Sequence, residues 1–101
     1  MATPFVMIDL DKPRKLRFTM GAMVEFEQLT GLAILRDGIP QSVDNYSKAL
    51  WVMLRQEDPE LTMEQLMKII DEHTNGIFDV VKKIDEAMAA GINTTGKAKN
   101  A

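Results

Sequence analysis

His73 is the single histidine of this chain, and it directly follows Asp71 and Glu72. An imidazole beside two carboxylates is the kind of group that binds a metal ion or transfers a proton. The three residues are consecutive, however, and neighbours one or two positions apart on a helix point in different directions. We therefore expect His73 to belong to a last helical turn, where the helix dipole favours its positive charge.

The other residues with catalytic potential lack the surroundings that their chemistry needs. Ser42 and Ser47 are not flanked by the glycines of a nucleophile elbow, so capping and surface positions are expected for them. Glu25 and Glu27 are not one helical turn apart and indicate a solvated face. There is no cysteine, and the six glycines are dispersed rather than gathered in a phosphate-binding loop. The sequence predicts no enzyme, no cofactor and no metal ion.

Methionine is the chemically unusual feature, with eight residues in a chain of 101. Its unbranched, polarizable side chain adapts to irregular or varied apolar partners. Most of these residues are expected to fill the core, but Met20 and Met63 lie in the first turns of predicted helices, where helices often meet the surface. Trp51 lies off the apolar stripe of its helix. We therefore predict a protein-binding patch at Met20, Trp51 and Met63.

Composition argues against several classes of function. The net charge of −3 gives no bulk attraction to nucleic acid or to an anionic membrane. The longest apolar runs are far shorter than the roughly 18 residues of a membrane span, and we expect no signal peptide. The absence of cysteine fits a reducing cytoplasm. With 46% hydrophobic residues the chain can bury one core, and a single domain is predicted.

The first elements that must position these residues are two short strands. Apolar residues alternate with polar ones over two runs, first Val6, Ile8 and Leu10, then Leu16 and Phe18. A period of two is typical of strands with one covered face. Asp11 to Arg14 are expected to form the turn, because Pro13 cannot donate a ladder hydrogen bond. The sequence thus predicts a hairpin over residues 5–19.

Four helices are expected after the hairpin, at about residues 20–30, 43–56, 63–73 and 76–90. Thr19 and Ser42 are suitable N-caps for the first two, and Gly31 can end the first in the left-handed conformation. Thr62 and Gln65 have the capping-box spacing at the start of the third helix. These capping residues define the helix starts more sharply than the apolar spacing does.

The fourth helix carries an apolar stripe at helical spacing, formed by Ile77, Phe78, Val81, Ile84 and Met88. We expect that stripe to face the core and Gly91 to end the helix. Residues 32–35 could be another helical turn or a packed loop. Residues 1–91 then form one compact domain and residues 92–101 a flexible tail without periodicity. The expected fold class is α+β, mainly helical.

Residues 5–31 carry a more specific signal. A hairpin with a basic Leu-Arg-Phe second strand is followed at once by the helix Gly-Ala-Met-Val-Glu-Phe-Glu-Gln-Leu-Thr-Gly. This segment resembles the tail assembly chaperones of long-tailed bacteriophages and gene transfer agents, where the helix tends to follow the pattern Ala-x-x-x-Leu-Glu-x-x-Thr-Gly. The matching positions are Ala22, Phe26, Glu27, Thr30 and Gly31, with Phe26 in place of the more usual leucine. Beyond residue 31 the similarity is limited to the order of three short helices.

The resemblance implies a protein that binds and solubilises the tape measure protein and helps to recruit tail tube subunits during tail morphogenesis. It also implies self-association, because many copies must cover one long helical partner. In many members of the family a translational frameshift makes a longer form, and the extension is the part that resembles a recruiter of the tail tube protein. The protein is then expected in the cytoplasm of the bacterial host and not in the mature virion.

Two other classes of function stay open. A structural tail protein or head–tail joining protein would remain in the particle, and its presence in purified virions would distinguish it. A small helix-turn-helix regulator that binds DNA would use the two helices between Thr62 and Met88. The second of these helices has a poor charge balance for a major groove, with Asp79, Asp85 and Glu86 against Lys82 and Lys83.

Overall fold

A two-stranded antiparallel hairpin begins the fold, and helices make up the rest of it. The computed structural model describes residues 4–96, with side chains up to residue 92. The strands are β1 (Val6–Asp9) and β2 (Pro13–Leu16). The helices are α1 (Met20–Thr30), α2 (Ile34–Asp37), α3 (Val43–Leu54), α4 (Met63–His73) and α5 (Ile77–Gly96). The predicted α+β, mainly helical fold is confirmed, and the short α2 resolves the open assignment of residues 32–35 as a helical turn.

The hairpin has one face in the core, as its alternating sequence predicts. Val6 pairs with Leu16, and Ile8 pairs with Arg14. The predicted turn, Asp11 to Arg14, was two residues too long at its second end, because Pro13 and Arg14 already belong to β2 and pair with Asp9 and Ile8. Proline is tolerated at the first position of a strand. The reversal is therefore made by residues 10–12.

Arg14 is a charged residue on this buried face, although it was predicted to belong to the turn. Its side chain is 8% exposed, and its guanidinium donates two hydrogen bonds to the Asp11 carboxylate, at 2.8 and 2.9 Å. A longer contact of 3.4 Å reaches Asp58 beyond α3. The hydrogen bond from Arg14 lowers the pKa of Asp11. The fork to Asp11 stabilises the hairpin turn, and the contact with Asp58 joins the hairpin to the segment after α3.

The N-caps predicted for the first three helices are present as hydrogen bonds. The side chains of Thr19, Ser42 and Thr62 each accept from a backbone N–H of the first helical turn that follows them. Thr62 and Gln65 complete the capping box, because the Gln65 side chain accepts from the Thr62 N–H at 3.0 Å. Gly31 ends α1 with φ of 77°, in the left-handed conformation. The starts of α1, α3 and α4 and the end of α1 are thus confirmed, whereas α3 ends at Leu54 instead of residue 56 and α5 begins at Ile77 instead of residue 76.

Helix α3 lies at the centre of the fold and contacts α1, α4, α5 and β2. Its buried residues surround most of its circumference: Tyr46, Ala49, Leu50, Val52, Met53 and Leu54. Helix α3 is therefore buried on more than one side. Phe18 from the hairpin and Phe26 from α1 pack edge to face in the same core, with their ring centroids 6.4 Å apart.

Helix α5 continues past Gly91, where the sequence predicted its end. Gly91 serves a different purpose, because a Cβ atom there would overlap the carbonyl oxygen of Phe18 and lie 2.9 Å from the Phe18 Cβ. The glycine permits a close approach of α5 to the hairpin and does not end the helix. Residues 92–96 of the predicted tail are thus helical, and residues 97–101 lie outside the described part of the chain.

Candidate protein-binding groove

A depression of about 430 Å³ lies between α3, α4 and α5. Each helix contributes apolar side chains to its lining: Tyr46 and Leu50 from α3, Met67 and Ile70 from α4, and Val81 and Ile84 from α5. Leu50 and Ile84 are buried, whereas Met67, Ile70 and Val81 are half-buried. The depression therefore has a closed apolar floor and walls that solvent can reach.

Two further depressions, of about 360 and 380 Å³, adjoin the first. Tyr46 lines all three, so they form one continuous surface that we call the apolar groove. The second depression adds Phe78 of α5, and the third adds Leu35 of α2 and Ile92 of α5. The apolar groove thus runs from α4, across α5, to the short helix α2.

Several large apolar side chains along the apolar groove face solvent. Leu35 is 98% exposed, Phe78 is 84% exposed and Val43 is 63% exposed. Scattered exposed apolar residues are ordinary on a protein surface, but a contiguous set around a concave apolar floor is typical of a binding site. The apolar groove is accordingly the candidate functional site of this chain.

The predicted stripe of α5 was wrong at its N-terminal end. Ile77 and Phe78 were expected to face the core and are exposed instead, while Val81 is half-buried. The buried residues of this helix are Val80, Ile84, Ala87 and Met88. Apolar residues occupy two adjacent faces of the helix, so helical spacing alone fits either face. The face that packs against β1 and α3 is buried, and the adjacent apolar face forms the edge of the apolar groove.

Tyr46 connects the floor of the apolar groove to its edge. Its ring is buried, and its hydroxyl donates a hydrogen bond of 2.8 Å to Oδ1 of Asp85 on α5. Burial raises the pKa of Tyr46, and the Asp85 carboxylate raises it further. The hydroxyl therefore stays protonated at neutral pH and holds Asp85 in place.

Asp71 and Asp85 are the charged side chains that line the apolar groove. No lysine, arginine or histidine is found among the lining residues, all of which belong to the described part of the chain. The apolar groove is thus acidic at its edges. Asp71 belongs to the acidic middle of the sequence, where residues 37–73 hold eight acidic and three basic side chains, whereas Asp85 lies beyond it.

The three predicted protein-binding residues lie outside the lining of the apolar groove. Met20 is 75% exposed at the start of α1. Trp51 is half-buried, and its indole N–H donates a hydrogen bond of 2.8 Å to the Leu61 carbonyl oxygen. Met63 is partly buried against the core. Met20 is therefore freely accessible, whereas Trp51 helps to hold the corner between α3 and α4 and Met63 packs against the core.

The residues with catalytic potential form caps and hydrogen bonds within the fold or lie at its surface. Ser42 caps α3, and Glu25 accepts a hydrogen bond of 2.6 Å from Arg55. Glu27 accepts one of 2.7 Å from the Ile34 backbone N–H, at the start of α2. His73 is exposed in the last turn of α4, where the sequence placed it. Within residues 4–96 no group of three or more histidine or carboxylate side chains is arranged to hold a metal ion.

The fold and the apolar groove define a small, mainly helical α+β protein with an open apolar surface. Among the described helices, none combines the length and the apolar character that crossing a membrane requires. Comparisons of the chain with protein-family models, with curated proteins and with solved structures give no match. Functional inference for this chain therefore starts from its own residues and geometry.

Proposed function

We propose that this chain is a phage tail assembly chaperone that binds helical segments of a tape measure protein in the apolar groove. The observation that carries the proposal is the apolar groove itself, with exposed Leu35, Val43 and Phe78 beside a closed apolar floor. An amphipathic helix binds such a groove by inserting apolar side chains one helical turn apart. The role is that of a binding protein and not of an enzyme.

The dimensions of the apolar groove suit a helix better than a small molecule. Its three depressions have volumes of about 430, 360 and 380 Å³, and the second shares lining residues with each of the other two. A small ligand would occupy one of them, whereas successive turns of a helix, about 5.4 Å apart, can place an anchor in each. A long helical protein is a partner of that shape.

The segment that resembles tail assembly chaperones supports the proposal through the fold. Ala22 and Phe26 are buried in the core, and the Thr30 hydroxyl donates a hydrogen bond of 2.8 Å to the Phe26 carbonyl oxygen. Gly31 then ends α1. The residues of the motif therefore form and terminate a core helix, so partner binding falls to other residues of the chain.

Coverage of a long partner by many copies is part of the same proposal. A single site of this size binds weakly, but copies that self-associate along one tape measure protein raise the effective concentration of one another. Recruitment of the tail tube protein would then belong to a longer frameshifted form. The assembly takes place in the host cytoplasm, and the chaperone leaves before the virion is complete.

The proposal is tested by co-expression with the longest helical protein encoded nearby, followed by co-purification and sizing. We expect the partner to become soluble and to elute together with this chain. Elution of the chain alone, with the partner still insoluble, would contradict the proposal. Purified virions provide the second readout, because a structural tail protein would be found in them and a chaperone would not.

A further inference from the structure

The apolar groove has carboxylates at its edges and no cationic side chain in its lining, within residues 4–96. We propose that it selects helices in which lysine or arginine flanks the apolar anchors, and that it disfavours helices with acidic flanks. This inference rests on the proposed function and specifies the chemistry of the partner. The residues that carry it are Asp71 of α4 and Asp85 of α5.

Neither carboxylate is neutralised by a neighbour. The ion pairs of the described chain include neither Asp71 nor Asp85. The contrast is with Asp44, which binds Lys48 one helical turn away at 2.9 Å. Lys68 and Lys82 precede Asp71 and Asp85 by three residues on their helices, and both face solvent without forming a pair at 4.0 Å or less. The negative charge at the groove edge is therefore available to a partner.

The Asp85 carboxylate is restrained by a hydrogen bond in the free protein. Oδ1 of Asp85 accepts from the hydroxyl of Tyr46, whose ring is buried between α3 and α5. Asp85 also lies where two of the three depressions meet, because it lines both of them. A carboxylate held in one orientation loses less conformational entropy on binding than a mobile one.

Lysine and arginine suit this arrangement because their side chains are amphipathic. The methylene groups can lie along the apolar wall near Phe78 while the charged head reaches Asp85 at the edge. A glutamate at the same place would meet a like charge at the edge of an apolar surface, which is unfavourable. Charge at these two edges therefore adds selectivity to an interaction whose affinity comes from the apolar anchors.

The test uses two fluorescent helical peptides with identical leucine anchors at i, i+3, i+4 and i+7, one flanked by lysine and the other by glutamate. Fluorescence anisotropy with the full chain at low salt should show about fivefold tighter binding of the lysine peptide, equivalent to two exposed ion pairs. The preference should disappear in Asp71→Asn/Asp85→Asn. It should persist in the matched control Glu72→Gln/Asp79→Asn, which removes two exposed carboxylates of α4 and α5 that lie outside the apolar groove.

Three results would overturn the inference. Equal affinity for the two peptides would show that charge does not contribute to selection. Failure of both peptides to bind would show that the apolar groove is not a site for helices. A dimer that excludes the peptides and dissociates on Phe78→Ser would assign the apolar groove to a second copy of the chain. The chaperone function is judged separately by co-purification with the tape measure protein, which could still succeed through another surface in each of these cases.

Discussion

Gly91 of α5 lies directly against the backbone of Phe18, where the chain leaves β2 for α1. A methyl group on Gly91 would overlap the Phe18 carbonyl oxygen, and that oxygen belongs to the backbone and cannot rotate away. The stripe that leads to this point is Val80, Ile84 and Ala87, all buried. Gly91 therefore permits close packing of α5 against the hairpin, and another face of the same helix forms part of the apolar groove.

Gly91→Ala should lower the free energy of unfolding by about 2 kcal/mol, because the added methyl group forces α5 away from the hairpin. The matched control is Gly21→Ala in α1, where the new Cβ atom meets only the Thr19 hydroxyl at 3.9 Å. That variant should gain about 0.5–1 kcal/mol from helix propensity. Urea denaturation followed by circular dichroism measures both. Stabilisation by both substitutions would show that the close approach does not constrain the fold.

Arg14→Lys should destabilise the protein by about 1–2 kcal/mol, because lysine cannot reproduce a two-bond fork in a buried position. Arg36→Lys is the control, since Arg36 makes the same fork to Asp37 while its own side chain is 76% exposed. We expect no measurable change in that variant. Equal losses in the two variants, measured as shifts of the urea midpoint, would contradict the structural role of the buried arginine.

The Asp11–Arg14 pair also predicts a change of stability with pH. The hydrogen bond from Arg14 lowers the pKa of Asp11 below its ordinary value of 3.8 in the folded state. The unfolded chain therefore takes up the proton first, and stability contributed by the pair is present above pH 3.8 and is lost as the pH falls through the folded-state pKa. Asp11→Asn should be less stable than the parent at neutral pH, and the difference should shrink in acid. A difference in unfolding free energy between Asp11→Asn and the parent that is the same at neutral pH and in acid, measured by urea denaturation, would exclude this linkage.

Much of the fold could be predicted because its signals are local. Thr62 and Gln65 identify a helix start from two residues three positions apart, and the structure has both reciprocal hydrogen bonds. Gly31 ends α1 as predicted for the same reason, since its left-handed conformation satisfies the end of its own helix. The hairpin followed from alternation within single strands.

The features that were predicted wrongly or missed depend on contacts between distant parts of the chain. Gly91 has the sequence surroundings of a helix end, and only the approach to Phe18 gives it another purpose. Phe78 fits an apolar stripe equally well whether that face is covered or open, and α5 has two such faces. Arg14 alternates correctly for a buried position but was assigned to the turn. The apolar groove could not be foreseen either, because three separate helices assemble it.

Trp51 was predicted to bind a partner, and its surroundings give it a structural contribution as well. The indole N–H bonds to the Leu61 carbonyl oxygen, and the Arg55 guanidinium lies 4.7 Å from the ring centre. Trp51→Ala should therefore cost about 2 kcal/mol of stability, and Trp51→Phe about 1 kcal/mol through the lost hydrogen bond. Thermal unfolding followed by circular dichroism distinguishes the two. An unchanged melting temperature in Trp51→Ala would show that Trp51 does not stabilise the fold and would leave partner binding as its only predicted role.

A pair of exposed residues distinguishes the apolar groove from α1 as the surface that binds the helical partner. Phe78→Ser and Met20→Ser each remove a large, solvent-exposed apolar side chain, one inside the apolar groove and one on α1. Neither should alter stability much, since both side chains are mostly in water in the free protein. Capture of the co-expressed tape measure protein should fall about tenfold for Phe78→Ser and stay unchanged for Met20→Ser. Full capture by Phe78→Ser, with loss for Met20→Ser, would contradict the account and place the binding surface on α1.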